Sequence, residues 1–147
     1  MTVTLESIKT EQERLAKMIS DFERQSSTFP ITVAFPDLND GELAVGVIIS
    51  ADGLKKEWLI LLPGDSDGKA WAAQMEWAKS IGGELPDKLE ASLLHSVMKE
   101  EFKPEAYWTS EKYVDSYAWC QGFDDGIQDY SYPNYELRAR AVRRSPI

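Results

Sequence analysis

The sequence predicts an α+β domain, antiparallel sheets with two packed helices, preceded by an N-terminal amphipathic helix. Three observations carry this. Residues 4–24 place apolar side chains at alternating spacings of three and four. Short β-branched and aromatic runs, separated by turn residues, lie both early and late in the chain. Between them, from about Asp67 to Phe102, the apolar period lengthens to that of helices. The predicted organisation is an N-terminal helix over 1–26, a candidate oligomerisation segment, and one domain over 28–147.

In the first helix Thr4 is the expected cap, and Leu5, Ile8, Leu15, Ile19 and Phe22 form a seam in which Gln12 fills the one polar position. Two readings of this seam stand: a short coiled coil whose Gln12 helps set register, and an amphipathic helix lying on its own domain. Ser26-Ser27-Thr28 and Pro30 are expected to end the helix. Ile31–Phe35, Leu43–Ile49 and Trp58–Leu62 then read as a three-stranded antiparallel meander, with turns at Asp37–Gly41 and Ala51–Gly53. A helix starting near Asp67 carries Trp71, Met75 and Ala78 on one face, and Gly82-Gly83 stops it. Asp87 and Glu90 stand in capping-box register before a second helix striped by Leu89, Leu93, Leu94, Val97, Met98 and Phe102. His95 beside that stripe reads as a structural or surface residue.

Strands return from Tyr107. Tyr117–Phe123 and Ile127–Tyr132 are expected to pair around Asp124-Asp125-Gly126, where glycine supplies the positive φ of a hairpin turn. Tyr135–Val142 is the expected last strand, with Leu137, Ala139 and Ala141 on one face and Arg138 and Arg140 on the other. On the solvent face Arg138 and Arg140 would pair with nearby carboxylates, each exposed pair contributing little.

The 147 residues carry a formal net charge of -9, which argues against direct nucleic-acid binding because phosphate contacts need Lys and Arg. One cysteine, Cys120, and one histidine, His95, exclude an internal disulfide and the usual zinc sites. No apolar run reaches the roughly 18 residues of a membrane span, and the N-terminus lacks a signal-peptide core. These features predict a cytoplasmic protein with no cofactor, no metal and no membrane association.

Four segments occur in order: "WAKSIGGELPDKLEASLL" (77–94), "YWTSE" (107–111), "YAWCQGFDDG" (117–126) and "LRARAVRR" (137–144). Together they resemble the Lcl C-terminal-domain-like family, a domain of unknown function frequent in phages and prophages. The resemblance spans about 57–144 and implies a C-type-lectin-like fold, with Trp108 and Trp119 in the core. It also implies a viral protein acting in the host bacterial cytoplasm, with release or virion association later. The wider fold group includes formylglycine-generating enzymes, calcium-dependent lectins and the variable proteins of diversity-generating retroelements. The enzymes need a cysteine pair, and this chain has Cys120 alone. The lectin calcium loops have Glu-Pro-Asn or Gln-Pro-Asp. "FPDLND" (35–40) precedes the helices, and "YPNYE" (132–136) puts Tyr132 where a carboxylate ligand belongs. Fold alone does not assign function.

What remains is recognition. All six tyrosines lie in residues 107–135, interleaved with Asp, Ser and Asn, the composition of adaptable binding surfaces. The candidate binding residues are Tyr113, Asp115, Tyr117, Gln121, Asp124, Asp125, Gln128, Asp129, Tyr130, Tyr132 and Tyr135. The expected function is a non-catalytic module that recognises a protein partner, with a glycan as a second ligand class. The alternatives are an acidic host-directed inhibitor, an anti-defence protein or nucleic-acid mimic, and a structural subunit of a phage particle assembled through residues 4–24.

Overall fold

The computed structural model describes residues 3–27 and 33–147. The chain divides into two units, 1–34 and 35–147. The first contains helix α1, Leu5–Ser27. Thr4 and Ser7 cap it reciprocally: the Ser7 N–H donates to Thr4 Oγ1 at 3.1 Å and the Thr4 N–H to Ser7 Oγ at 3.2 Å. The helix runs through Ser26 and Ser27 rather than ending before them, because serine disfavours a helix only mildly.

The second unit holds eight strands, two α-helices and a short 3-10 helix, Lys99–Glu101. In chain order the strands and α-helices are β1 (Leu43–Ile49), β2 (Lys56–Leu61), β3 (Ser66–Lys69), α2 (Trp71–Ser80), α3 (Lys88–Met98), β4 (Ala106–Tyr113), β5 (Tyr117–Gly122), β6 (Gln128–Ser131), β7 (Leu137–Ala139) and β8 (Val142–Pro146). Two sheets form, β1-β2-β8 and β3-β7-β4-β5-β6. All strand pairs are antiparallel except β4 with β7, which meet in parallel at Tyr107 and Arg138. The expected α+β class is present.

Four expectations change. The meander is not one: of the run Ile31–Phe35, residues 31 and 32 lie outside the described residues and 33–35 form no strand. Phe35 instead sets its ring edge-on to Trp58, 5.5 Å between centroids. The third strand of that sheet is β8, from the C-terminus. The helix expected near Asp67 starts at Trp71, because Ser66–Lys69 pairs with β7 and the Asp67 carboxylate is taken by Arg138 at 3.2 Å. The Trp71 N–H is satisfied by the Pro133 carbonyl at 2.8 Å, a tertiary contact no local pattern reveals. Finally, the last strand is two strands in two sheets. The chain changes sheet at Arg140-Ala141, where the Leu62 N–H donates to the Ala141 carbonyl at 3.0 Å. The α3 stripe is also narrower than expected: Leu94 is buried, but Leu89 (65% exposed) and Val97 face outward.

The local signals held elsewhere. Gly82 adopts φ +86°, and the Gly83 N–H donates back to the Ala78 carbonyl at 2.9 Å, ending α2 in a Schellman-type turn. Asp87 and Glu90 form the full capping box of α3. Gly126 takes φ +78°, and a Cβ there would stand 2.8 Å from His95 Cε1, so a side chain at this turn would strain the backbone and displace the imidazole.

Two apolar clusters flank the second sheet. Trp108, Ala118 and Cys120 pack with Ala78 and the partly buried Trp71 and Met75 of α2. Tyr107 and Phe123 pack with Leu94 of α3 and with Leu59, Leu61 and Val142 of the first sheet. Trp108 and Tyr107 are neighbours on β4 and therefore point to opposite faces. The sheet thus separates α2 from α3.

The capping residue Glu90 has a second task. Its buried carboxylate accepts from Arg144 Nε at 2.6 Å and from a terminal nitrogen of the same guanidinium at 2.6 Å, while also accepting the Asp87 N–H at 2.9 Å. Arg144 also reaches Glu84. Arg144→Ala leaves a buried carboxylate without its cation and is expected to cost about 3–5 kcal/mol in urea unfolding. Replacing both partners with apolar residues of similar volume is expected to cost less than either single change to alanine. A second pair sets acid sensitivity. Arg143 donates twice to Glu42, both at 2.8 Å. These bonds, with the Asn39 N–H, hold the Glu42 carboxyl down to about 2 from an ordinary 4.5. A depressed carboxyl stabilises the fold above its unfolded value, and that contribution fades as pH falls from about 4.5 towards 2. Glu42→Gln is expected to flatten stability against pH in that window, measured by urea midpoints.

Candidate functional site

The candidate site is built on β4, β5 and β6, on the face that α3 also covers. Cross-strand register decides it. Tyr113 pairs with Tyr117, and Trp119 with Tyr130. Side chains alternate along each strand, so Tyr113, Tyr117, Trp119 and Tyr130 emerge on one face. Tyr132 and Tyr135 continue the surface through the turn after β6, closed by the Tyr135 N–H to the Tyr132 carbonyl at 3.0 Å.

The six rings touch in sequence. Tyr113 stacks on Tyr130 with centroids 4.4 Å apart. Trp119 stands edge-on to Tyr113 at 5.1 Å and to Tyr130 at 5.6 Å. Tyr117 meets Tyr130 at 5.1 Å and Tyr132 at 5.0 Å. Tyr132 meets Tyr135 at 5.5 Å. Four of the tyrosines, Tyr113, Tyr130, Tyr132 and Tyr135, lie between 39% and 53% exposed. Hydrogen bonding with Tyr132 raises the pKa of the Tyr117 phenol.

Helix α3 borders the patch. Gln128 donates to the Lys88 carbonyl at 2.6 Å, and the Lys88 N–H donates to the Glu111 carboxylate at 2.7 Å, an anion at a helix N-terminus. The Lys88 ammonium rests over the Trp119 ring, 3.5 Å from its centroid. Trp119 is therefore half-buried on the patch rather than a core residue like Trp108, which is 1% exposed and donates to the Lys69 carbonyl at 3.0 Å.

Of the residues singled out from sequence, the structure gathers Tyr113, Tyr117, Tyr130, Tyr132 and Tyr135. Asp115 is exposed in the turn between Tyr113 and Tyr117. Gln121 is not on the surface: it is 1% exposed and donates to the Gly122 carbonyl at 2.9 Å. Its strand neighbours put it on the expected face, but that end of the face is covered. Gln128 is half-buried and fastens α3. Asp124, Asp125 and Asp129 lie elsewhere, around a shallow depression of about 350 Å³ shared with Cys120 and Ser131. Asp129 pairs with Cys120 and so faces away from the tyrosines. Asp125 is a turn residue that accepts the Ile127 N–H at 2.9 Å. Burial pushes the Cys120 thiol pKa up, away from the reactive thiolate. Among the described residues no three His, Cys, Asp or Glu are placed to hold a metal ion, and no helix is long and apolar enough to cross a membrane.

Trp119 is the patch residue that sequence reasoning misplaced. The signal was available: it alternates with Tyr117 on one strand. The terminal arginines also need correction. Arg138 does pair with carboxylates, Asp65 at 2.8 Å and Glu105 at 3.4 Å. Arg140 is only 8% exposed and donates instead to the backbone carbonyls of Glu101 (2.6 Å) and Leu62 (2.9 Å). Comparison with protein-family models finds no match to this chain, and comparison with curated proteins finds none either.

The turn that aims Tyr113 and Tyr117 carries backbone strain. Val114 has φ +48°, left-handed backbone that a β-branched residue rarely adopts. Its side chain is exposed, so packing does not compensate. Val114→Gly is expected to stabilise the protein by up to about 1 kcal/mol in urea unfolding, with the tyrosine cluster retained. Destabilisation would mean that the valine, not the turn, organises the hairpin.

Proposed function

We propose that this protein is a binding module without catalysis of its own, and that its tyrosine patch recognises a protein partner. One observation carries the reading: six aromatic rings in mutual contact, mostly half-exposed, on a paired sheet face. Tyrosine supplies rigid, amphipathic contact area with few torsions to freeze, and its hydroxyls accept varied partners. Rings already packed against one another lose little further freedom on binding. The exposed Asp115 and the Lys88 ammonium supply polar groups at the margin.

The finer fold assignment belongs to the same proposal. The four segments that resemble the Lcl C-terminal-domain-like family form α2 with α3, part of β4, β5 with its turn, and β7 with β8 of one unit. On that resemblance the fold is C-type-lectin-like and the protein is phage- or prophage-encoded, acting in the bacterial cytoplasm.

A second reading is favoured by charge. The formal net charge is -9, and the carboxylates outnumber the cations 25 to 16. Such a charge balance suits an inhibitor that occupies a basic, nucleic-acid-binding groove. Salt separates the two. Immobilised protein, incubated with lysate of the host bacterium, is expected to retain one protein at both low and moderate salt. Tyr130→Ser with Tyr132→Ser is expected to weaken the purified pair by tenfold or more, read by calorimetry. Retention that disappears with salt and survives the tyrosine changes would replace this reading with the acidic one.

A further inference from the structure

We infer that α1 associates in parallel with α1 of further copies of this chain, with Gln12 facing Gln12 across the seam. The positions alternate three and four apart: Leu5, Gln12 and Ile19 occupy one set of core positions, Ile8, Leu15 and Phe22 the other. The apolar seam is open: Leu5 is 69% exposed, Leu15 51% and Ile19 59%. Helices in proteins draw most of their stability from packing of an amphipathic face rather than from propensity, and the 23-residue α1 has such a face to cover.

Charge and polarity identify the occupant. The helix carries four basic and five acidic residues, so it is nearly neutral within a strongly acidic protein, and copies of it do not repel. The same near-equality of acids and bases does not suit an anionic lipid surface, which selects Lys- and Arg-rich polar faces. Gln12 sets the orientation. In an antiparallel pair it would face an apolar side chain and leave an amide without a partner. In a parallel assembly each Gln12 amide meets another, and donor and acceptor are both satisfied. A parallel seam also brings the α+β units out at the same end of the bundle. On the reading of the tyrosine patch as a binding surface, which this consequence rests on, binding to a repetitive target becomes multivalent.

Sedimentation of the full chain, from low micromolar to submillimolar concentration, tests this without any partner, so its outcome is independent of the tyrosine proposal. The expected mass is two or more times the 16.6 kDa of one chain, falling on dilution. Ile8→Glu with Leu15→Glu is expected to lower the association constant at least tenfold while near-ultraviolet circular dichroism, reporting the tryptophans of the α+β unit, stays unchanged. Gln12→Leu is expected to strengthen association. Leu5→Cys is expected to cross-link to itself on oxidation, since parallel pairing alone aligns the two; the native Cys120 is buried. A monomer at every concentration, association that survives the paired glutamates, or an oligomer whose Leu5→Cys form does not cross-link would each overturn the inference.

Discussion

The fold of the α+β unit turns on one buried carboxylate. Glu90 is the third residue of α3 and closes its capping box, yet its oxygens also receive a two-pronged donation from Arg144 on β8. The ion pair is a joint. It fastens the helix lying on one face of the second sheet to a strand of the first. With Glu90 buried, neither partner can be dispensed with singly, because the other would remain charged away from water. Because α3 is fixed there, its N-terminus falls beside Trp119, and the aromatic patch begins where the helix ends.

The other arginines of the C-terminal segment follow the same logic. Arg143 closes the 37–42 loop through Glu42 and the Asp37 carbonyl at 2.8 Å. Arg138 gathers Asp65, Asp67 and Glu105. Arg140 sits where the chain passes from one sheet to the other and supplies donors to two backbone carbonyls, Glu101 in the turn after α3 and Leu62 just past β2. A basic tail on an acidic protein is here a set of internal ties.

Local rules were legible in the sequence and long-range ones were not. The Gly82-Gly83 stop, the Asp87–Glu90 box and the Gly126 turn depend on neighbours within five residues or fewer, and each formed as expected. The start of α2 depends on Pro133, the third strand of the first sheet on residues 142–146, and the break in the last strand on Leu62. None of these partners can be inferred from periodicity. The patch shows the same division. Alternation along β5 and β6 told which side chains share a face. It could not tell that α3 and the core would cover Gln121 while leaving Tyr130 open, nor that Asp129 would turn to the opposite side.

That division bears on how the patch arises. A sheet with helices on both faces should be apolar on both, and beyond the N-terminus of α3 one face runs out of cover. Leu or Val there would leave an open apolar area prone to association. Tyrosine resolves the conflict: the rings shield one another through stacked and edge-on contacts while the hydroxyls meet water. The result is a surface whose rings are already packed on one another, flanked by a strained turn at Val114 and by a lysine resting on a tryptophan. Solvating the end of a sheet requires only scattered polar residues. A continuous run of six touching rings exceeds that requirement, and the excess is the physical ground for reading the face as one that binds.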